Sequence, residues 1–432
     1  MTILRAGLGV VFFCLLAWLL SIDRRRFPWR VVLWGVGLQV VLAFLVLRTG
    51  TGLVVLEAIS DGVQKLTSLA RPGAAMVFGV LSDPAKMGEV FGPERGFVFA
   101  FAGQGLIVII FFSALMSVLY HVGFMQAVVW IMARLMAATL GVSGAEAMSN
   151  AANVFVGQTE APLVVRPYLE KMTQSELAAL MTGGFATIAG SVMAVYMGML
   201  GPGYGPHLIA GSVMAAPAAF IMSKIMRPET EVSETAGKVP FRVDRAADNV
   251  IEAAANGTTD GLKLWLNVIA MLIAFVALVA FVNWPLGALG SALGVEGGLS
   301  LERIFGWVFA PVAWIVGVTG WGDCQAWGTL LGTKISINEF VAYSNLAQMQ
   351  PGDAGLAQAA GPPLVFVAER SARMAAYALC GFANFSSIGI QIGGISALAP
   401  GRKADLSRLA FKAMLGGAFA TCMTATIAGL FL

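Results

Sequence analysis

An all-α polytopic membrane protein is what this sequence predicts, and three observations carry that expectation. Hydrophobic residues make up 58% of the 432 residues and charged residues only 12%, against the ~45–50% and ~25% of soluble domains. The mean hydropathy is +0.80, so most helix faces are apolar rather than a single stripe. The apolar residues also fall into about eight blocks long enough to cross a bilayer. A net charge of only +3 makes nucleic acid an unexpected partner. The four cysteines lack CxxC spacing and there are only two histidines, which argues against a disulfide framework or a His-rich metal centre.

The first apolar block, residues 6–22, precedes Arg24, Arg25, Arg26 and Arg30. A secretory signal has the reverse order, so this block predicts an uncleaved span with its N-terminus outside. A second span follows at 31–47. Residues 52–70 carry Val55, Ile59, Val63 and Leu66 at helical spacing, opposite Glu57, Asp61, Gln64 and Lys65; this is an amphipathic helix, lying at the interface or packed as a connector. The third span is 97–120, followed by a weaker helical stretch at 121–140. Residues 180–200 and 207–226 give the fourth and fifth spans, and 227–260 reads as a cytoplasmic loop. Residues 262–284, 364–395 and 409–432 complete eight crossings. Both termini then lie outside, and the inside loops hold Arg24–Arg26, Lys224, Arg227, Arg402 and Lys403, in keeping with the positive-inside rule. The resulting organisation is a peripheral scaffold with an interfacial helix (1–95), a first transport repeat (96–226), the loop (227–260) and a second transport repeat (261–432).

Two segments are too polar for ordinary spans. Residues 143–177 contain the stretch SNAANVFVGQTEAP (149–162), with Asn, Gln, Thr and Glu inside apolar flanks. Each flank is ~10–12 residues, about half a bilayer as helix. A re-entrant hairpin fits, because non-helical backbone survives at membrane depth only inside protein or beside a cavity. The second such segment is 301–345, with its glycine-rich polar part at 320–343. Each is followed by an interrupted span: GGFATIAG at 183–190 and CGFANFSSIG at 380–389. The fourth and seventh crossings run in opposite directions, so the two units form an inverted repeat, with solute expected near the midplane between broken helices. Small residues there can simply pack helices. That explanation fails for Gln158, Glu160, Glu339 and Asn384, since an intramembrane carboxylate costs several kcal/mol without a function or partner.

The motifs GQTEAP (157–162), NEFVAY (338–343) and GFANFSS (381–387) resemble those of the concentrative nucleoside transporter family, and the resemblance covers essentially the whole chain. It implies the bacterial form of that family: eight spans, two oppositely oriented hairpins, interfacial helices, a homotrimer, and ion-coupled symport of nucleosides across the inner membrane by alternating access. Residue by residue, it implies that Gln158, Thr159 and Glu160 meet the base, with Val192 lining the base pocket. Glu339 would accept from ribose hydroxyls, aided by Asn384 and Ser387, with Phe382 as a wall. Sodium would bind at the Asn153 and Thr187 side chains and the Val156 and Ile188 carbonyls. Oxygen ligands suit a hard cation, although Thr187 stands where the family pattern leads one to expect Ser. Proton coupling through Glu160 or Glu339, or a nucleobase as cargo, are the alternatives. A membrane-embedded enzyme is a distant one, because no DxxD or HxxE pattern sits at a membrane face to hold metal and phosphate.

Overall fold

The computed structural model describes residues 3–83, 86, 87, 89, 106–239, 247–295, 298–353, 355 and 364–432. Among these the chain is helical throughout its apolar blocks. Helices α1 (Ile3–Leu19) and α2 (Trp29–Arg48) are the first two crossings. Thr49 ends α2 and accepts from the Gly52 N–H, capping the amphipathic α3 (Gly50–Leu69), with α4 (Arg71–Phe78) behind it. The first part of the expected third span lies outside the described residues; its described part is α5 (Val108–His121). Gly123, at φ +88°, turns the chain by 76° into α6 (Phe124–Leu140), so the weaker stretch is a helix of its own.

The first hairpin consists of α7 (Gly144–Asn153), an irregular tip, and a 3-10 return through Ala161–Lys171. Capping boxes set where the flanking helices start: Ser143 with Glu146 begins α7, and Thr173 with Glu176 begins α8 (Gln174–Ala186). Residues 174–177 thus belong to the broken span and not to the hairpin expected at 143–177. After a break at 187–189 the span continues as α9 (Gly190–Leu200), and α10 (Gly205–Met226) returns. Helix α11 runs Val250–Ala292, 43 residues. At ~1.5 Å per residue that is about twice a bilayer core, so it extends well beyond the apolar run at 262–284.

The second hairpin also differs from the expected 301–345. Helix α12 (Leu301–Val316) is a separate helix that meets α13 (Trp321–Ser336) at a 111° bend across Gly317 and Gly320, both at positive φ, and packs back along it at Gly328 and Gly332. The hairpin itself is α13 and α14 (Glu339–Gln348), with its tip at Ile337–Asn338. The second broken span is α15 (Glu369–Leu379) and α16 (Phe385–Leu398), and α17 (Lys403–Ala428) ends the chain. With α5 as the described part of the third, each of the eight crossings has its helix.

Burial separates a centre from a periphery. The most apolar stretches of the first broken span, α10 and α17 are 94%, 89% and 78% buried, whereas that of α11 is 0% buried; other turns of α11 pack on α5 through Gly257 and Gly261. The two breaks meet at the centre. A Cβ on Gly381, at φ +136°, would sit 2.6 Å from the Phe185 carbonyl oxygen, and one on Gly417 would sit 2.5 Å from the Phe185 Cβ. Only glycine allows backbone to approach backbone this closely, so the Gly-Phe-Ala repeats mark where the two broken spans cross.

Candidate functional site

Helix ends converge on this crossing and aim its polar side chains. Asn338 caps α14, its side chain accepting from the Val341 N–H at 2.9 Å. That puts Glu339 in the first turn of α14, where the positive end of the helix dipole favours a carboxylate. Asn384 caps α16 in the same way: its Oδ1 accepts from the Ser387 N–H at 2.8 Å. Because the cap needs an oxygen there, the Nδ2 faces the other way and donates to Glu339 Oε2 at 3.1 Å. Tyr196 Oη donates to Glu339 Oε1 at 2.8 Å, and its ring stacks on Tyr343 at 4.2 Å between centroids.

From the first hairpin, Gln158 Nε2 donates to Ser387 Oγ at 3.2 Å, and its Oε1 accepts from Gln391 Nε2 at 3.0 Å. Gln391 also donates to the Met181 carbonyl at 3.1 Å on α8. Tyr196, Glu339, Asn384, Ser387, Gln158 and Gln391 therefore form one buried chain of hydrogen bonds linking both hairpins and both broken spans. Each of these groups carries donors or acceptors that a polyhydroxylated, amide-bearing solute could exchange for.

Of the expected site residues, the structure brings Gln158, Glu339, Asn384 and Ser387 into that chain. Val192 is buried in the first turn of α9, one helical turn before Tyr196. Phe382 is half-buried in the second break. Thr159 turns its methyl toward Gly394 of α16. Glu160 is not drawn into the chain. Its carboxylate accepts from the Gly157 N–H at the hairpin tip and lines a cavity of about 280 Å³ with Tyr120, Gln126, Asn256 and Asp260. Sequence reasoning missed Tyr196 and Gln391. The signal for Gln391 was present, as a lone amide in an apolar run; Tyr196 had only its helical spacing from Val192.

A second polar group lies beneath the first hairpin tip. Asn153 is buried, and neither its Oδ1 nor its Nδ2 has a hydrogen-bond partner. Thr187, in the adjoining break, donates to the Gly183 carbonyl at 2.9 Å, which leaves its oxygen lone pairs available. The Phe155 carbonyl is taken by the Gly190 N–H at 2.9 Å and the Val154 carbonyl by Ser212 Oγ at 3.3 Å. No hydrogen bond outside helices reaches the Val156 or Ile188 carbonyl among the described residues. These are neutral oxygens, and no group of three or more His, Cys, Asp or Glu side chains that could hold a metal occurs among the described residues. Such a donor set fits a weakly charged hard cation.

Two re-entrant hairpins, two oppositely running broken spans and a buried polar junction between them define a secondary carrier for a small polar solute, not an enzyme. Comparison with known proteins makes this specific. The chain belongs to the sodium-dependent nucleoside transporter family: it matches the family models for the Na+ dependent nucleoside transporter N-terminus over 8–81 and C-terminus over 207–429, and the "Gate: Nucleoside recognition" model over 104–203. It is 44% identical over its whole length to an uncharacterized transporter of Haemophilus influenzae, covering 98% of that protein. It is 42% identical to sodium/nucleoside cotransporter 1 of Rattus norvegicus over 98% of this chain, which spans 63% of the rat protein. The structure of CNTnw in an inward-facing substrate-bound state superposes with a TM-score of 0.89 at 42% identity, covering 100% of this chain and 98% of that one. A variant of CNTnw in an outward-facing state also gives 0.89, at 41% identity and the same coverage.

Proposed function

We propose that this protein moves nucleosides across the membrane together with sodium, by alternating access at the junction of the two broken spans. The observation that carries this reading is the buried chain from Tyr196 to Gln391. It draws on both hairpins and both broken spans, so a solute bound there would bridge every element an inverted-repeat carrier must move. In this reading Glu339 and Asn384, with Ser387, bind the ribose hydroxyls; Gln158 and Thr159 meet the base beside Val192 and Phe382. Glu160 meets the base only after leaving its bond to Gly157, so it marks a position that changes between states. Sodium sits at Asn153 and Thr187 with the Val156 and Ile188 carbonyls, and the unpartnered Asn153 amide supports that assignment.

The same reading puts the chain in the bacterial inner membrane with both termini outside, as a homotrimer. The most apolar stretch of α11, with Ile273, Val276 and Phe281 exposed, offers an apolar face for lipid or a neighbouring subunit. The test is uridine uptake into proteoliposomes with sodium and pH gradients imposed separately. Uptake against its gradient driven by sodium alone is the expected outcome. Uptake driven only by the pH gradient assigns coupling to a proton, and no accumulation under either gradient removes the symport reading.

A further inference from the structure

The protein buries two lysines, and they are treated differently. Lys224 lies 2.6 Å from Glu146 and 3.7 Å from Glu229, a neutralised group at the base of the first hairpin. Lys334, on α13 of the second hairpin, is fully buried, and no ion pair joins it to a carboxylate among the described residues. Its Nζ donates to the Ala378 carbonyl at 2.9 Å and to Thr421 Oγ1 at 3.1 Å on α17. A buried ammonium with no carboxylate in direct contact is costly even with Glu339 one hairpin tip away, so its retention needs a reason.

The reason lies in what it touches. Ala378 is in the last turn of α15, the half-helix that stops at the second break, and the last carbonyls of a helix have no intrahelical partner. That end carries about half a negative charge from the helix dipole. The second hairpin satisfies it twice, through Tyr343 Oη to the Ala376 carbonyl at 2.8 Å and through Lys334. The first repeat is built alike: α7 packs against α8 as α13 packs against α15, and α8 also stops at its break. There, however, the hairpin offers the neutral Asn153, with both amide atoms unpartnered.

We infer that Lys334 is a tethered cation, serving the half-helix end of the second repeat as a mobile coupling cation serves that of the first. This rests on the sodium reading given above. One repeat then loads and releases its positive charge in each cycle, while the other carries its charge permanently on a side chain that returns with the empty carrier. The carrier accordingly needs a single coupling cation, although the repeat offers two equivalent ends for one. Lys334 is in this sense a positioning residue: it holds the α13–α15 contact from which Glu339 and Asn384 are presented.

The test has a wild-type arm and a mutant arm, both in proteoliposomes. From the reversal potential, wild type is expected to move about one elementary charge per uridine, and a ratio of about two overturns the proposal. In Lys334→Ala the vacated end becomes open to a second small cation. The Hill coefficient for sodium in uridine uptake should rise from about one toward two, while Lys334→Arg keeps the wild-type value. Lys334→Gln retains a donor but not the charge, and its uridine affinity at saturating sodium should fall at least about fivefold. If Lys334→Ala keeps wild-type sodium dependence, or Lys334→Gln keeps wild-type uridine affinity, the charge is unused and the inference is wrong. Should the neutral variants fail to fold, a wild-type charge ratio of about two still overturns the inference. Wild-type uptake that ignores sodium is a separate result, and it overturns the coupling reading on which this one rests.

Discussion

The two breaks at the centre of this carrier have the same backbone plan and opposite chemistry. At the first, Asn153 and Thr187 are neutral, and the amide of Asn153 is unpartnered. At the second, Lys334 and Glu339 are ionisable, and both hydrogen-bond to groups of the protein itself. Unsatisfied buried amide atoms cost ~1–3 kcal/mol each, and that cost is recovered when a ligand arrives. In the function proposed above, the first break responds to an ion and the second binds the hydroxylated solute.

If that division is right, the largest effect comes from neutralising the fixed acceptor. Glu339→Gln removes charge-assisted hydrogen bonds worth ~1.5–3 kcal/mol, or ~10–150-fold in affinity. Uridine binding to the purified, folded variant should weaken by that factor, and near-native affinity in calorimetry would take Glu339 out of the site. A smaller effect separates the two hairpins. Gln158→Ala should reorder the affinities for uridine, cytidine and adenosine, whereas Asn384→Ala should weaken all three alike, because a ribose contact cannot discriminate between bases. Identical selectivity profiles for the two variants would dissolve the proposed division between base and sugar. Asn384→Ala also removes the cap of α16, so its thermal stability should drop by the equivalent of ~1 kcal/mol; uridine should restore less of that loss than it does in wild type.

The hydrophobic pattern made most of the fold legible. Among the described residues the apolar blocks became helices, and the polar interruptions at 183–190 and 380–389 became the two breaks. Boundaries moved where local hydrogen bonds outweigh hydropathy. The Thr173–Glu176 capping box starts α8 before the apolar run does, and two glycines at positive φ bend the chain between α12 and the second hairpin. Of the buried chain, Gln158, Glu339 and Asn384 could be read because a polar group in an apolar run needs a reason, and Ser387 only from the family resemblance; Glu160, read by the same argument, lies outside the chain. Tyr196 could not, since a tyrosine at helical spacing is ordinary core until its hydroxyl is seen against Glu339. Lys334 drew no attention because its acceptor, the Ala378 carbonyl, is a backbone atom 44 residues away that no side-chain pattern announces.

The central claim, that the first break is an ion site coupled to the solute site, is tested by measuring uridine affinity calorimetrically in sodium and in choline, for wild type and Thr187→Val. Thr187→Val keeps the side-chain shape but deletes the oxygen. A cation at Asn153 and Thr187 would order the hairpin tip that presents Gln158, so sodium should tighten uridine binding in wild type by ~5–150-fold, a coupling of ~1–3 kcal/mol. Thr187→Val should lose most of that gain while binding uridine in choline as wild type does. Equal uridine affinity in sodium and choline for wild type, or undiminished sodium enhancement in Thr187→Val, would contradict the account.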